Sequence, residues 1–141
     1  MEKLSIAFSI FISLLISVVI GFFLYALLDA LRADLYCPDQ FREGADCYME
    51  GWDIISTWVA STVGSLMAIM AIASVSLFQP KRRYKSAKAT LFVGAICAAP
   101  FALLIQSVTA LLATVLSGVL ALWCVKRLTS RSSKDALTRA A

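Results

Sequence analysis

The chain contains no histidine and no asparagine. The first absence removes the commonest metal ligand and the commonest general base. The second removes every N-glycosylation acceptor. Charge is scarce as well: 16% of the 141 residues are charged and 60% are hydrophobic, whereas a soluble domain has about 25% and about 45–50%. No Walker loop, G-x-G-x-x-G, G-x-S-x-G or H-E-x-x-H motif occurs, and no lipidation motif ends the chain. These absences argue against a soluble globular domain, against disorder, and against the commoner enzyme classes. The mean hydropathy of +0.83 points to a small multi-span membrane protein.

The apolar residues fall into long runs. One extends from Leu4 to about Leu28 and a second from Ile54 to Phe78, both without charge. A third block, from Ala87 to Val125, holds only Lys88 at its start. A single helix over that block would measure about 58 Å at 1.5 Å per residue, roughly twice the hydrocarbon thickness. The block therefore turns back, and Gln106-Ser107 is its most polar central dipeptide. The expected spans are 4–28, 54–78, 88–105 and 108–125. They form a four-span domain over 1–126, followed by a basic cytoplasmic tail, 127–141, with room for a short helix at Lys134–Ala140. A cleavable signal has a 7–15-residue apolar core; the first run is longer and is followed by Leu31-Arg32-Ala33, a poor cleavage context, so it is read as a retained span.

Loop charges orient the spans. Asp29, Asp34, Asp39, Glu43, Asp46, Glu50 and Asp53 dominate the segment after the first span, against Arg32 and Arg42. Lys81, Arg82, Arg83, Lys85 and Lys88 follow the second, and Lys126, Arg127, Arg131, Lys134 and Arg139 follow the fourth. The positive-inside rule places both termini and the 79–87 loop in the cytoplasm and the 29–53 loop outside. The basic residues thus read as topology determinants at the lipid headgroups, Lys81, Arg82, Arg83, Lys85, Lys126 and Arg127 foremost, and not as a nucleic-acid surface. Tyr36, Tyr48, Trp52 and Trp58 near the outer face, with Tyr84 and Trp123 near the inner one, form an interfacial belt; an aromatic ligand cage is the sharper alternative.

Cys37 and Cys47 fall in the outer loop, where disulfides persist. A structural bridge between them is expected; the alternative of a redox pair lacks C-x-x-C spacing and a second relay pair. Cys97 and Cys124 sit at different depths, so they are expected to be free, buried and to behave as small apolar residues. The acidic loop does not follow the calcium-loop spacing and reads as a solvated cap, or else as a docking surface for a basic partner.

Within the first span Ser5, Ser9, Ser13, Ser17 and Gly21 recur every four residues, continued by Tyr25 and Asp29. Ala60, Gly64 and Ala68 form a shorter row in the second span; Gly94 and Ala98, then Thr114 and Gly118, follow in the third and fourth. Residues four apart rotate by about 40° per step, so each row winds around its helix. Such rows serve close helix packing; docking of a partner helix and a serine-lined polar path are the alternatives. No ionisable residue falls near mid-span, which removes the usual mark of a proton relay or ion site. Pro100 removes one helix hydrogen bond and is expected to bend the third span, with a gating hinge as the alternative.

The layout of four spans, with a larger first outer loop holding a cysteine pair near a tryptophan, resembles claudin-type tetraspans. It lacks their W-G-L-W-C-C loop motif, so no residue roles carry over.

The expected fold is all-α: an integral membrane antiparallel four-helix bundle, termini cytoplasmic, with one disulfide-closed outer loop. The expected function is a non-catalytic accessory or interaction protein, a small subunit of an inner-membrane complex that docks through its small-residue helix faces and the acidic outer loop. Its partners are the lipid bilayer and other membrane subunits or itself, with no nucleic acid and no cofactor. A small homo-oligomeric transporter or channel for an apolar or lipid-like solute is the main alternative, and an oxidoreductase using Cys37 and Cys47 the remaining one.

Overall fold

The computed structural model describes residues 2–36, 52–104 and 108–139, with side-chain surroundings for 3–31, 54–100 and 108–130. Apart from Gln79 the described chain is helical: α1 (Glu2–Tyr36), α2 (Trp52–Phe78), α3 (Arg83–Leu104) and α4 (Val108–Arg139), with a 3-10 turn at Pro80–Arg82 leading into α3. Three helices contain segments long and apolar enough to cross a membrane: Lys3–Leu31, Ile54–Phe78 and Val108–Ser130.

Helix limits depart from the apolar runs for local reasons. α1 continues to Tyr36, because nothing between Asp29 and Tyr36 breaks a helix; Pro38 is the first residue that does. α3 begins at Arg83, since Pro80 starts the preceding turn and Lys and Arg are good helix formers. Pro100 lies inside α3, which continues to Leu104. α3 ends at Leu104 and α4 starts at Val108, so the expected turn at Gln106-Ser107 lies outside the described residues, between the two helices. The expectation of a separate short helix at Lys134–Ala140 is corrected: α4 runs without a break to Arg139.

The packing is centred on α2, which touches α1, α3 and α4. α4 is its largest neighbour, α1 meets α3 only slightly, and α1 and α4 make no contact among the described residues. Met67 of α2 lies against Gly21 of α1, and Gly64 of α2 against Thr114 of α4. Gly118 of α4 lies against Leu91 of α3 and Ile72 of α2. Ile72, Val75, Ala87 and Val125 form one buried cluster joining α2, α3 and α4.

The interior is small and the exterior large. Buried positions are Val59, Val63, Ala71, Ile72, Val75, Ala87 and Val125, together with Ser13, Ser17, Ser86 and Thr90. Phe8, Phe11, Phe22, Phe23, Phe92 and Leu120 are exposed, Phe22 at 71%. A water-soluble protein buries its largest apolar side chains, and an exposed apolar surface of this extent marks an interface with lipid or protein.

Candidate functional site

The serine row of α1 is turned inward only over its centre. Ser13, Ser17 and Gly21 are buried, Ser9 is half-buried, and Ser5 and Tyr25 are exposed. This is the expected outcome of a row that winds by about 40° per step past a straight neighbour. In α2 Ala60, Gly64 and Ala68 are half-buried. The two rows do not meet at their glycines: Gly21 faces Met67 of α2, whereas Gly64 faces Thr114 of α4. Each of these glycines receives a larger side chain from another helix.

Most of the buried and half-buried hydroxyls are satisfied locally. Ser13 donates to the Ser9 carbonyl at 2.8 Å, Ser17 to Leu14 at 2.8 Å, Thr90 to Ser86 at 2.9 Å and Thr114 to Ala110 at 2.7 Å. Bonding to the preceding turn is what a hydroxyl does when no water is at hand. Those hydroxyl protons are engaged with the backbone and do not line a continuous polar path. Gln79, just past α2, donates to Ser9 Oγ at 3.0 Å and to Ser5 Oγ at 3.4 Å. Sequence reasoning missed this clasp, because Gln79 beside Pro80 reads simply as loop.

Basic residues gather at one end. Ala87 and Val125 share the buried cluster, so Arg83 and Lys85, one turn before Ala87, and Lys126 and Arg127, directly after Val125, occupy the same end of the molecule. Lys81, Arg82, Lys85, Lys88, Lys126 and Arg127 are exposed, and Arg83 is half-buried. The Arg127 guanidinium carbon lies 5.0 Å from the centre of the Trp123 ring, within cation–π range. Two polar atoms at this end, Arg83 Nε and Ser86 Oγ, are buried and make no hydrogen bond among the described residues.

Cys97 and Cys124 are free, but both are exposed, which corrects the expectation of burial. Inward positions on α3 and α4 are taken by Ala87, Thr90, Gly118 and Val125, and the cysteines fall on the outward side. Cys37 and Cys47, the expected disulfide, lie outside the described residues, as does most of the acidic loop. Among the described residues no group of three or more His, Cys, Asp or Glu side chains converges. On the outer side of α1 a shallow apolar groove is lined by Leu4, Ser5, Ala7, Phe8 and Phe11.

No protein-family model, curated protein or solved structure matches the chain.

Proposed function

We propose that this protein is a non-catalytic integral membrane protein, a small accessory subunit that assembles with another membrane protein. In this reading the four helices form an antiparallel bundle in a bacterial inner membrane. Both termini and the basic end are cytoplasmic, and a Cys37–Cys47 loop faces outside. The contacts between helices support the alternation of direction. Gln79 at the end of α2 meets Ser9 near the start of α1. Gly64 with Thr114, and Ile72 with Gly118, rise together in number, as they do between the second and fourth helices of an up-and-down bundle. α3, the expected third span, is not among the three helices apolar enough to cross; its 22 residues measure about 33 Å, and the first turns carry Arg83, Lys85 and Lys88.

The observation that carries the reading is the two-sidedness of α1. Its small residues, Ser13, Ser17 and Gly21, are covered by its own chain, while Phe8, Phe11, Leu15 and Phe22 of the same helix stand exposed. A partner helix therefore meets the aromatic side of α1 and not the serine row. The acidic outer loop adds a second contact for a basic partner.

The test is purification in mild detergent at native expression level, with mass spectrometry of the co-purifying proteins. A stoichiometric membrane protein that is lost when Phe11, Leu15 and Phe22 are replaced by Ala supports the reading. Isolation as a defined homo-oligomer without a companion defeats it and turns attention to transport of an apolar or lipid-like solute.

A further inference from the structure

We propose that Arg83 and Ser86, in the N-terminal turn of α3, form a binding site for a phosphate oxyanion. In a membrane the natural source is the headgroup of an anionic phospholipid. That source rests on the membrane reading above; the site itself does not depend on the accessory role.

Buried polar groups are nearly always hydrogen-bonded, because an unmet donor loses its water without compensation. Among the described residues four that bear a hydroxyl are buried: Ser13, Ser17, Ser86 and Thr90. Three of them donate to the preceding turn. Ser86, 1% exposed, has an Oγ with no partner among the described residues, although the same local bond is open to a serine in a helix. Arg83 Nε, three residues earlier, is likewise buried and unpartnered. Residues three apart share a helix face, and the Cα–Cβ bond of Ser86 tilts toward the helix start, so its hydroxyl leans toward the turn that holds Arg83.

Both atoms are donors: Arg Nε has no acceptor capacity, and a serine hydroxyl donates readily. Two unmet donors three residues apart on one helix face call for an acceptor that serves both. The helix end adds the sign. The N-terminus of a helix carries a partial positive charge and free N–H groups, and it favours an anion. α3 has no acidic residue in its first turn and places Arg83 there instead, an arrangement that is repulsive until an anion arrives. Lys126 and Arg127 stand at the same end of the molecule. Arg83 is half-buried, so its side chain is the part of the site that the surroundings reach, while Ser86 is covered. A planar guanidinium also matches phosphate geometry better than a lysine does.

The test uses the full chain in a neutral detergent. It is offered phosphatidylglycerol and phosphatidylcholine in equal amounts and examined by native mass spectrometry. One phosphatidylglycerol is expected to be retained over phosphatidylcholine by about tenfold, and Arg83→Gln and Ser86→Ala each to abolish most of that preference, as loss of a charge-assisted bond does. Lys85→Gln, an exposed neighbour, should change it by no more than about twofold. Loss in Lys85→Gln equal to that in Arg83→Gln would mean diffuse attraction and overturn the site.

A second readout guards against misfolding. Without lipid, Ser86→Ala is expected to raise the melting temperature, because it removes a buried hydroxyl that lacks a partner. A fall would show that the hydroxyl is bonded within the chain, and the proposal would be wrong. Inorganic phosphate separates the sources. Thermal stabilisation of the wild type by phosphate, absent in Arg83→Gln and without preference for phosphatidylglycerol, keeps the oxyanion site and assigns it to a free anion. No response to phosphate or to phosphatidylglycerol rejects it. A failed search for a protein companion leaves these lipid and phosphate readouts unaffected.

Discussion

Gly64 of α2 and Thr114 of α4 lie so close that a β-carbon on Gly64 would collide with the Thr114 hydroxyl. That hydroxyl is itself committed, donating to the Ala110 carbonyl at 2.7 Å. A threonine side chain in a helix has few rotamers to retreat into. Gly64→Ala is therefore expected to lower stability by about 1–3 kcal/mol, the usual range for overpacking. Gly94 is the control. A β-carbon there would meet Leu14 at 3.7 Å, an ordinary contact. Gly94→Ala should gain about 0.5–1 kcal/mol from helix propensity alone. Thermal unfolding of both variants in one detergent checks the sign of each.

Gln79 holds the end of α2 to the first turns of α1. Its bond to Ser9 is 3.0 Å and that to Ser5 is 3.4 Å, so the former should carry the energy. A double-mutant cycle of Gln79→Ala with Ser9→Ala should give a coupling of about 0.6 kcal/mol, typical of hydrogen bonds between membrane helices. The corresponding cycle with Ser5→Ala should give close to none. Equal couplings would mean that the amide divides itself between the two hydroxyls.

Orientation should follow the basic end. Replacing Lys81, Arg82, Arg83 and Lys85 together by Gln removes most of the positive charge between α2 and α3. Reporter fusions after Ser130 should then show a mixed population in place of a cytoplasmic terminus, because short-loop Lys and Arg set topology. An unchanged orientation would transfer the determinant to Lys126 and Arg127.

The cysteines should separate into two classes on alkylation of the unreduced protein. Cys97 and Cys124 are free and exposed and should react once detergent admits the reagent. Cys37 and Cys47 are expected to be protected by a mutual bridge. Cys37→Ser/Cys47→Ser would then cost about 3 kcal/mol in the chain-entropy model, without a redox phenotype. Four reactive thiols would exclude the bridge.

Much of the helical layout was legible in the residues. The charge-free run Ile54–Phe78 coincides with a membrane-compatible segment of α2, and the polar Gln106-Ser107 marks where α3 gives way to α4. Helix ends were less legible. Hydropathy reports which residues suit lipid, whereas a helix stops where its backbone hydrogen bonds stop, so α1 and α4 extend well into polar sequence. The exposure of Cys97 and Cys124 was not legible either, since a uniformly apolar helix gives no periodic signal of which side faces inward.

The sequence by itself determined that the chain is helical, that its apolar segments suit a membrane, and that its basic and acidic residues are kept apart, because these follow from composition and order along one strand. The tertiary structure decided which side of each helix is covered. It placed Gly21 against Met67 and Gly64 against Thr114, where two rows of small residues could equally have met each other. It also left Ser86 as the buried hydroxyl without a partner beside Arg83. The physical reason is that in lipid apolar burial does not favour one helix face over another. The choice of face then rests on shape and on individual hydrogen bonds, which exist only once the helices are side by side.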